Sequence, residues 1–467
     1  MKAVIKLLPF LLLIFATNAF AECDPKTGIG CEPSSDFSGL PIDQLPPGAR
    51  SLGLGGAFTG VADDATAAIA NPAGLSILFA KEFSLHLRNS DSDIGFLDPD
   101  AYNSVNDDTP TGRMNKEYSD SGTNVSFASF VLPLDRWVLS AYYMNQLDFS
   151  SDQSGGADIV YDAGTVDTYY NENSVDSSLD SFGLSAAFRV TDSFSLGLTL
   201  QSSKLDLKNL DNWQVDDFFD NELDMEFIFG NATAEEYAAA VIDEWNVNTS
   251  IDDSDNDVSF SLGLMYSLNS NWSFGLVYRD GAEFNLKSTN VDTKILDCTG
   301  TGVATDDCND FVTPSSTSTT NVLEANIKIP DIITFGIGWR PTDTWLISFD
   351  INRIGYSDTT PVRSFTQGFG RDINGTVQLT EDIDDETEFH LGTEKVFIME
   401  SNNTFSIRAG VFTKSDHDGN ATVDSDDTVF TVGLGTTFGS ESQFQMDLGA
   451  SFADETNNII LSGIYRF

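Results

Sequence analysis

The sequence predicts an all-β protein, an antiparallel transmembrane β-barrel of about 14 strands whose lumen holds an N-terminal plug. Three observations lead there. The chain opens with an export signal, and no later stretch approaches the roughly 18 apolar residues a membrane helix needs. From residue 123 onward, apolar and small or polar residues alternate in short runs, the period of a strand with two unlike faces.

The signal spans residues 1–21: Lys2 and Lys6, an apolar run from Leu7 to Ala16, then the small-x-small triplet Ala19-Phe20-Ala21. Cys23 follows Glu22 instead of the cleavage site, which argues against a lipid anchor. Cys23 with Cys31 and Cys298 with Cys308 form two local pairs, expected to close small disulfide loops in an oxidising periplasm. Their spacing, with no histidine nearby, does not suit zinc, and no metal or cofactor site is expected. With 72 acidic against 24 basic residues and a net charge of −48, nucleic acid is excluded as a partner. The carboxylates either solvate long external loops or bind divalent cations there.

Strands are expected at about 83–89, 123–132, 137–148, 180–189, 194–207, 257–268, 272–286, 323–340, 345–356, 387–397, 404–413, 428–438, 443–453 and 458–467. Phe194, Leu196, Leu198 and Leu200 alternate with Ser195, Gly197, Thr199 and Gln201. A soluble sandwich would alternate too, so the connections decide. Tight turns such as Pro133–Arg136, Thr191–Ser193 and Pro341–Thr344 alternate with long Asp-rich segments, as a membrane barrel requires of its two rims. Beside the short turns stand Trp137, Phe188, Phe194, Trp272, Trp339, Trp345, Phe397, Phe405, Phe438 and Phe444, the expected periplasmic girdle. The last strand ends on Phe467, a signal for the barrel-assembly machinery; Tyr465, Leu461 and Ile459 then face lipid, and Arg466 and Ser462 the lumen.

The longest loop, about 208–256, is expected to hold a short amphipathic helix from Thr233 to Trp245. It also carries Trp213, Phe218, Phe219, Phe227, Ile228 and Phe229, which either pack the loop on itself or form an apolar groove for a greasy ligand.

Residues 22–80 do not alternate, yet are too apolar and Gly-rich for a free tail, and read as a compact plug before the barrel of 81–467. Within it Ala49–Phe58 leads through an Ala-rich stretch to Asn71-Pro72-Ala73-Gly74-Leu75. A short helix capped by Asp63 or Asp64 should end at Pro72. The glycines depart from G-x-G-x-x-G and lack a βαβ context, so close backbone packing explains them better than a nucleotide.

These residues, with Leu276-Val277-Tyr278-Arg279, Ile329-Pro330-Asp331 and Arg408-Ala409-Gly410, resemble the FadL/TodX family of outer-membrane transporters for long-chain fatty acids and other hydrophobic compounds. The resemblance implies 14 strands, a hatch bearing Asn71, Pro72, Ala73 and Gly74, an external apolar groove, and a wall opening that releases the ligand sideways into the membrane. It also implies as partners a hydrophobic small molecule, outer-membrane lipids and lipopolysaccharide, and the assembly machinery.

Among inward positions the charged or titratable residues are Arg189, Arg279, Arg340, Asp350, His390, Glu394, Arg408 and Asp447. Either they pair with one another and with the hatch, or Arg279 or Arg408 meets a ligand carboxylate. Only His86, His390 and His417 are available for acid–base work, with no nucleophile constellation, so no enzyme is expected. Asp416–Asn420 lacks the spacing and closing Glu of a calcium loop and reads as a solvated turn. Passive uptake of hydrophobic molecules is the first functional expectation; a general porin, or a structural or adhesion barrel with acidic loops, is the alternative.

Overall fold

The computed structural model describes residues 45, 47–97, 115–160, 166–216, 244–296, 315–358, 385–399, 403–414, 427–439, 443–453 and 456–467. The wall begins with β1 (Glu82–Leu97), β2 (Asn115–Leu134), β3 (Trp137–Val160), β4 (Val166–Thr191), β5 (Phe194–Asp216) and β6 (Glu244–Ser267). It continues with β7 (Trp272–Arg279), β8 (Glu283–Leu296), β9 (Ser315–Lys328), β10 (Ile332–Thr342) and β11 (Trp345–Ile354). The remainder is β12 (Glu386–Ile398), β13 (Thr404–Lys414), β14 (Asp427–Phe438), β15 (Gln443–Phe452) and β16 (Thr456–Arg466).

All pairings are antiparallel, and β1 meets β16 from Glu82↔Arg466 to Ser92↔Thr456, so the sheet closes on itself. β7 with β8, and β9 with β10, are each one spanning strand with an interruption, which makes 14 strands of the 16 segments. The sequence reads 272–286 and 323–340 as unbroken; the structure corrects this. At Gly281 a Cβ would collide with the Ile329 carbonyl, Pro330 has no N–H for a ladder, and the Asp331 carboxylate takes the Gly281 N–H (2.9 Å) and the Tyr278 hydroxyl (2.6 Å). Each break also switches sides. Ser273, Gly275 and Val277 are buried below it on β7, and Ala282, Phe284 and Leu286 above it on β8.

The outward positions carry the apolar residues. Leu196, Leu198 and Leu200 are exposed while Ser195, Thr199 and Ser203 are buried, and the same inversion runs around the wall. A continuous belt of exposed Leu, Ile, Val and Phe is what lipid stabilises and water would not. Among the described residues no helix is long and apolar enough to cross a membrane. The expected girdle pairs across strands: Trp137 on Phe188 at 4.7 Å between rings, Trp272 stacked on Trp339 at 5.5 Å, Phe438 on Phe444 at 5.3 Å. Ile459, Leu461, Tyr465 and Phe467 are exposed and Ser462 buried, as the alternation requires.

The strands are longer than expected on the long-loop side. β3 to β6 run 23 to 26 residues, whereas a tilted strand needs about 9–11 to cross a bilayer. The segment 208–256 is therefore not one loop: β5 continues to Asp216 and β6 begins at Glu244. Glu244 and Trp245, placed at the end of the expected helix, pair instead with Asp216 and Val215. A ladder already in register lengthens without a new loop closure, and this outweighs the weak strand preference of Asp, Asn and Ser. Residues 233–243, the rest of that helix, lie outside the described residues.

Candidate functional site

The described N-terminal residues lie inside the lumen, on the short-turn side. They hold α1 (Ala49–Gly53), α2 (Ala67–Ala70) and a 3-10 turn at Pro72–Ile77. Pro72 stops α2 as expected, leaving Asn71 extended. The expected cap is modified: Thr66 precedes α2, and the Asp64 carboxylate takes the Thr66 N–H and hydroxyl at 2.9 and 2.5 Å.

Asn71 is fully buried and uses its whole amide. Its Nδ2 donates to the carbonyls of Thr59 in the hatch and Leu264 in the wall, both at 3.0 Å, and its Oδ1 accepts from Ala73 N–H at 3.1 Å. Pro72 lacks an N–H, so the next donor is the one Asn71 can cap. The wall facing this motif is built of residues without side chains. A Cβ on Gly263 would strike the Asn71 amide, and one on Gly197 the backbone of Pro72 and Ala73. The glycine- and serine-rich inner face read from the sequence is thus a mould for the hatch, in contact with its backbone.

The inward charges complete the docking. Arg189 donates to the Ser76 carbonyl and Arg279 to Ile69 O at 3.1 Å. Asp350 accepts the Phe58 and Thr59 N–H groups at 2.9 and 2.8 Å; His390 Nδ1 meets Gly55 O at 2.7 Å. Arg340 pairs with Asp63, and Arg50 of the hatch bridges Asp63 to Glu394. Glu394 and Asp447 both hold Arg408, each at 2.7 Å. Burial alone would lower the Arg50 pKa, but the carboxylates of Asp63, Glu394 and Asp64 hold it well above its ordinary value, so the guanidinium stays charged. Each of the eight inward charged or titratable residues thus has a partner among the others or in the N-terminal segment.

Above the hatch the inner face changes character. On β5 the inward positions run Ser195, Gly197, Thr199, Gln201 and Ser203, then Leu205 and Leu207. These two leucines join Leu147, Leu179, Ile251, Ala282, Phe284, Leu286, Ile327 and Ile329 in a buried apolar cluster. The sequence reading missed it, although the switch from Ser and Gly to Leu at constant parity was visible. Between hatch and wall lies a cavity of about 20 Å³, room for roughly one water, lined by Ala68, Ile69, Tyr142, Met144, Gln146 and Arg279 among others.

Beside that cavity the wall divides. β2 pairs with β3 only from Leu134↔Trp137 to Phe127↔Met144; beyond, β2 follows β1 and β3 follows β4. Ser126 on β2 and Gln146 on β3 are the extra residues of bulges there. Side chains fill the gap: Asn145 Oδ1 accepts from Arg88 (3.1 Å) and Asn124 (3.0 Å), while its Nδ2 donates to Asp180 at 3.0 Å.

The predicted site residues are distributed accordingly. Arg279 borders the cavity, whereas Arg408 is buried between two carboxylates. Trp213 lies in β5 opposite Asn171 and Val247. Phe218, Phe219, Phe227, Ile228 and Phe229, the four cysteines and Asp416–Asn420 lie outside the described residues.

A closed 14-stranded barrel, lipid-facing outside and with an N-terminal segment packed against its inner face, fits an outer-membrane transport protein. The chain belongs to the outer membrane transport protein family OMPP1/FadL/TodX, whose model matches residues 48–462. A search of the curated proteins finds no match by sequence. Similar solved structures include the monoaromatic hydrocarbon channel CymD (16% identity, TM-score 0.53, covering 90% of this chain and 96% of that one). The Ralstonia pickettii toluene transporter TbuX is similar at 15% identity and TM-score 0.54, covering 90% and 98%. A Pseudomonas aeruginosa FadL homologue is similar at 13% identity and TM-score 0.54, covering 89% and 97%. The family places the chain in the outer membrane as a passive transporter of hydrophobic compounds.

Proposed function

We propose that the chain takes up small uncharged hydrophobic molecules, and that they pass through the apolar cluster above the hatch and leave sideways between β2 and β3. The apolar cluster carries this reading: ten buried Leu, Ile, Phe and Ala side chains offer burial to a hydrocarbon. Two further observations favour an uncharged cargo. The net charge of −48 disfavours the approach of anions, and Arg408 is already held by Glu394 and Asp447. Relatives named as a monoaromatic hydrocarbon channel and a toluene transporter support the same class. Arg279 at the cavity is the position where an acidic ligand would be held if one were carried.

In this route Asn145 and its partners Arg88, Asn124 and Asp180 act as the polar fastening of the wall opening. Movement of the hatch edge at Ala68 and Ile69, which line the cavity beside Met144, frees the path. The test is uptake of labelled toluene and oleate by Gram-negative cells that lack their own transporter of this family. Toluene uptake should depend on the chain, and Leu205→Asp with Leu207→Asp should abolish it. Uptake of oleate alone would overturn the choice of cargo.

A further inference from the structure

The wall carries a second gap that the β2/β3 route does not use. β6 pairs with β7 up to Ser261↔Arg279 and with β8 from Ile251↔Ser288 onward. Between those two ladders the residues 252–260 and 280–287 form no ladder pairs with each other, and a single bond, Asp280 N–H to Phe260 O at 2.9 Å, continues the lower ladder. In place of backbone carbonyls, three side chains of β6 accept the β8 donors. Asp257 takes the Glu283 N–H (2.8 Å), Asp255 the Asn285 N–H (2.8 Å) and Asp253 the Lys287 N–H (3.0 Å). A carboxylate projects beyond its own backbone, so the strands stand apart by a side chain instead of the about 4.8 Å of a ladder.

What lies on either side of this seam gives it a use. On its inner side are Ala282, Phe284 and Leu286 of β8 and Ile251 of β6, all members of the apolar cluster. On its outer side Val258, Leu262, Leu264 and Tyr266 form the lipid-facing row of β6, and Asp252, Ser254 and Asn256 continue that row as exposed polar residues. The seam therefore overlaps the upper end of the apolar belt at Val258 and continues into the exposed polar row above it. On the other edge of β6 the ladder to β5 is unbroken from Phe194↔Tyr266 to Asp216↔Glu244.

We infer that the β6/β8 seam is a side inlet through which a hydrophobic molecule at the upper end of the apolar belt reaches the apolar cluster. Asp253, Asp255 and Asp257 are its fastening. Three exposed carboxylate contacts exchange readily with water, whereas a ladder of backbone bonds between long strands does not. Opening them parts the strands without unpairing either flanking ladder, and the molecule moves from one apolar surface to another. The inlet rests on the reading that the cluster is the transit site.

The test uses the full chain with labelled toluene as probe in the same cells. Asp255→Cys with Asn285→Cys, bridged by a bis-maleimide, ties the seam shut. The same bridge between Ser178→Cys and Asp206→Cys, opposite each other in the regular β4–β5 ladder, is the control, together with reagent-treated unmodified protein. Bridging the seam should lower uptake at least tenfold while the control bridge leaves it unchanged. Replacing Asp253, Asp255 and Asp257 together by alanine should raise the uptake rate several-fold. Wild-type uptake by the seam-bridged protein, or an unchanged rate in the triple variant, overturns the inlet. If Leu205→Asp with Leu207→Asp still abolishes uptake in that case, the transit reading stands and the seam is a structural feature only. If that variant transports normally too, both readings fall.

Discussion

Replacing Asn71 by alanine should undock the hatch. The side chain is buried and makes three hydrogen bonds, to Thr59 O, Leu264 O and Ala73 N. Alanine leaves two buried carbonyls and one N–H without these partners. Only the bond to Leu264 O joins hatch to wall, the other two lying within the hatch, so at about 1 kcal/mol net for that bond the hatch loses about 1 kcal/mol of docking energy. Since 1.4 kcal/mol is tenfold in an equilibrium, the undocked population should rise about fivefold. Asn71→Asp should be worse, because it keeps the acceptor for Ala73 but turns a carboxylate toward two carbonyls. The assay is single-channel recording in planar bilayers, where the intact protein should conduct poorly and an undocked hatch should appear as added open time. Gel mobility before and after heating confirms that the barrel itself is folded. An open fraction equal to that of the intact protein, in a folded Asn71→Ala barrel, would refute the claim that this motif secures the plug.

Further outcomes follow from other contacts. Deleting residues 22–80 should give a large steady conductance; large conductance by the intact protein would instead favour an open porin. Gly263→Val should resemble Asn71→Ala in the same recordings, since the added carbons meet the Asn71 amide with no room to yield. Arg408→Ala strands Asp447, while Glu394 keeps Arg50, and should destabilise the barrel by about 3 kcal/mol, seen as a lower unfolding temperature, with cargo preference unaltered. Asp385, ahead of β12, is held below the ordinary carboxylate range by the Ser357 hydroxyl and N–H, with Arg353 helping. Because its folded pKa is depressed, this contact contributes above the ordinary Asp value and is lost as pH falls through the lower folded one. Asp385→Asn should flatten that acid limb in thermal melts, and an unchanged limb would show that the contact contributes nothing.

Much of this architecture can be read from residue order, for a physical reason. A strand with lipid on one side and packed small residues on the other must alternate, so Phe194–Gln201 declares both its type and its inner face. The girdle follows from Trp and Phe at short-turn ends, and the ring contacts of Trp272 with Trp339 are the cross-strand consequence. The inward charges are legible as a set, but their partners are not. Whether Arg408 waits for a ligand or is held by Glu394 and Asp447 depends on register between β12, β13 and β15. Composition misleads in Asp-, Ser- and Asn-rich stretches such as 208–216 and 244–256, where extending an existing ladder overrides local preference. The breaks at Gly281 and Pro330 were signalled by those residues themselves, yet the accompanying change of side can only be seen once strands are paired. The seam of Asp253, Asp255 and Asp257 is hidden for the same reason: three alternating aspartates look like a solvated strand until their carboxylates are found on the neighbour's N–H groups.

In the proposed route the hatch-closed barrel passes uncharged hydrophobic molecules through the apolar cluster. The direct measurement is the rate of labelled toluene uptake by cells carrying the chain, compared with cells carrying Leu205→Asp and Leu207→Asp at equal surface expression. Uptake that requires the chain and disappears in the variant is the expected result. Equal uptake with the intact chain, the variant and no chain at all would contradict it.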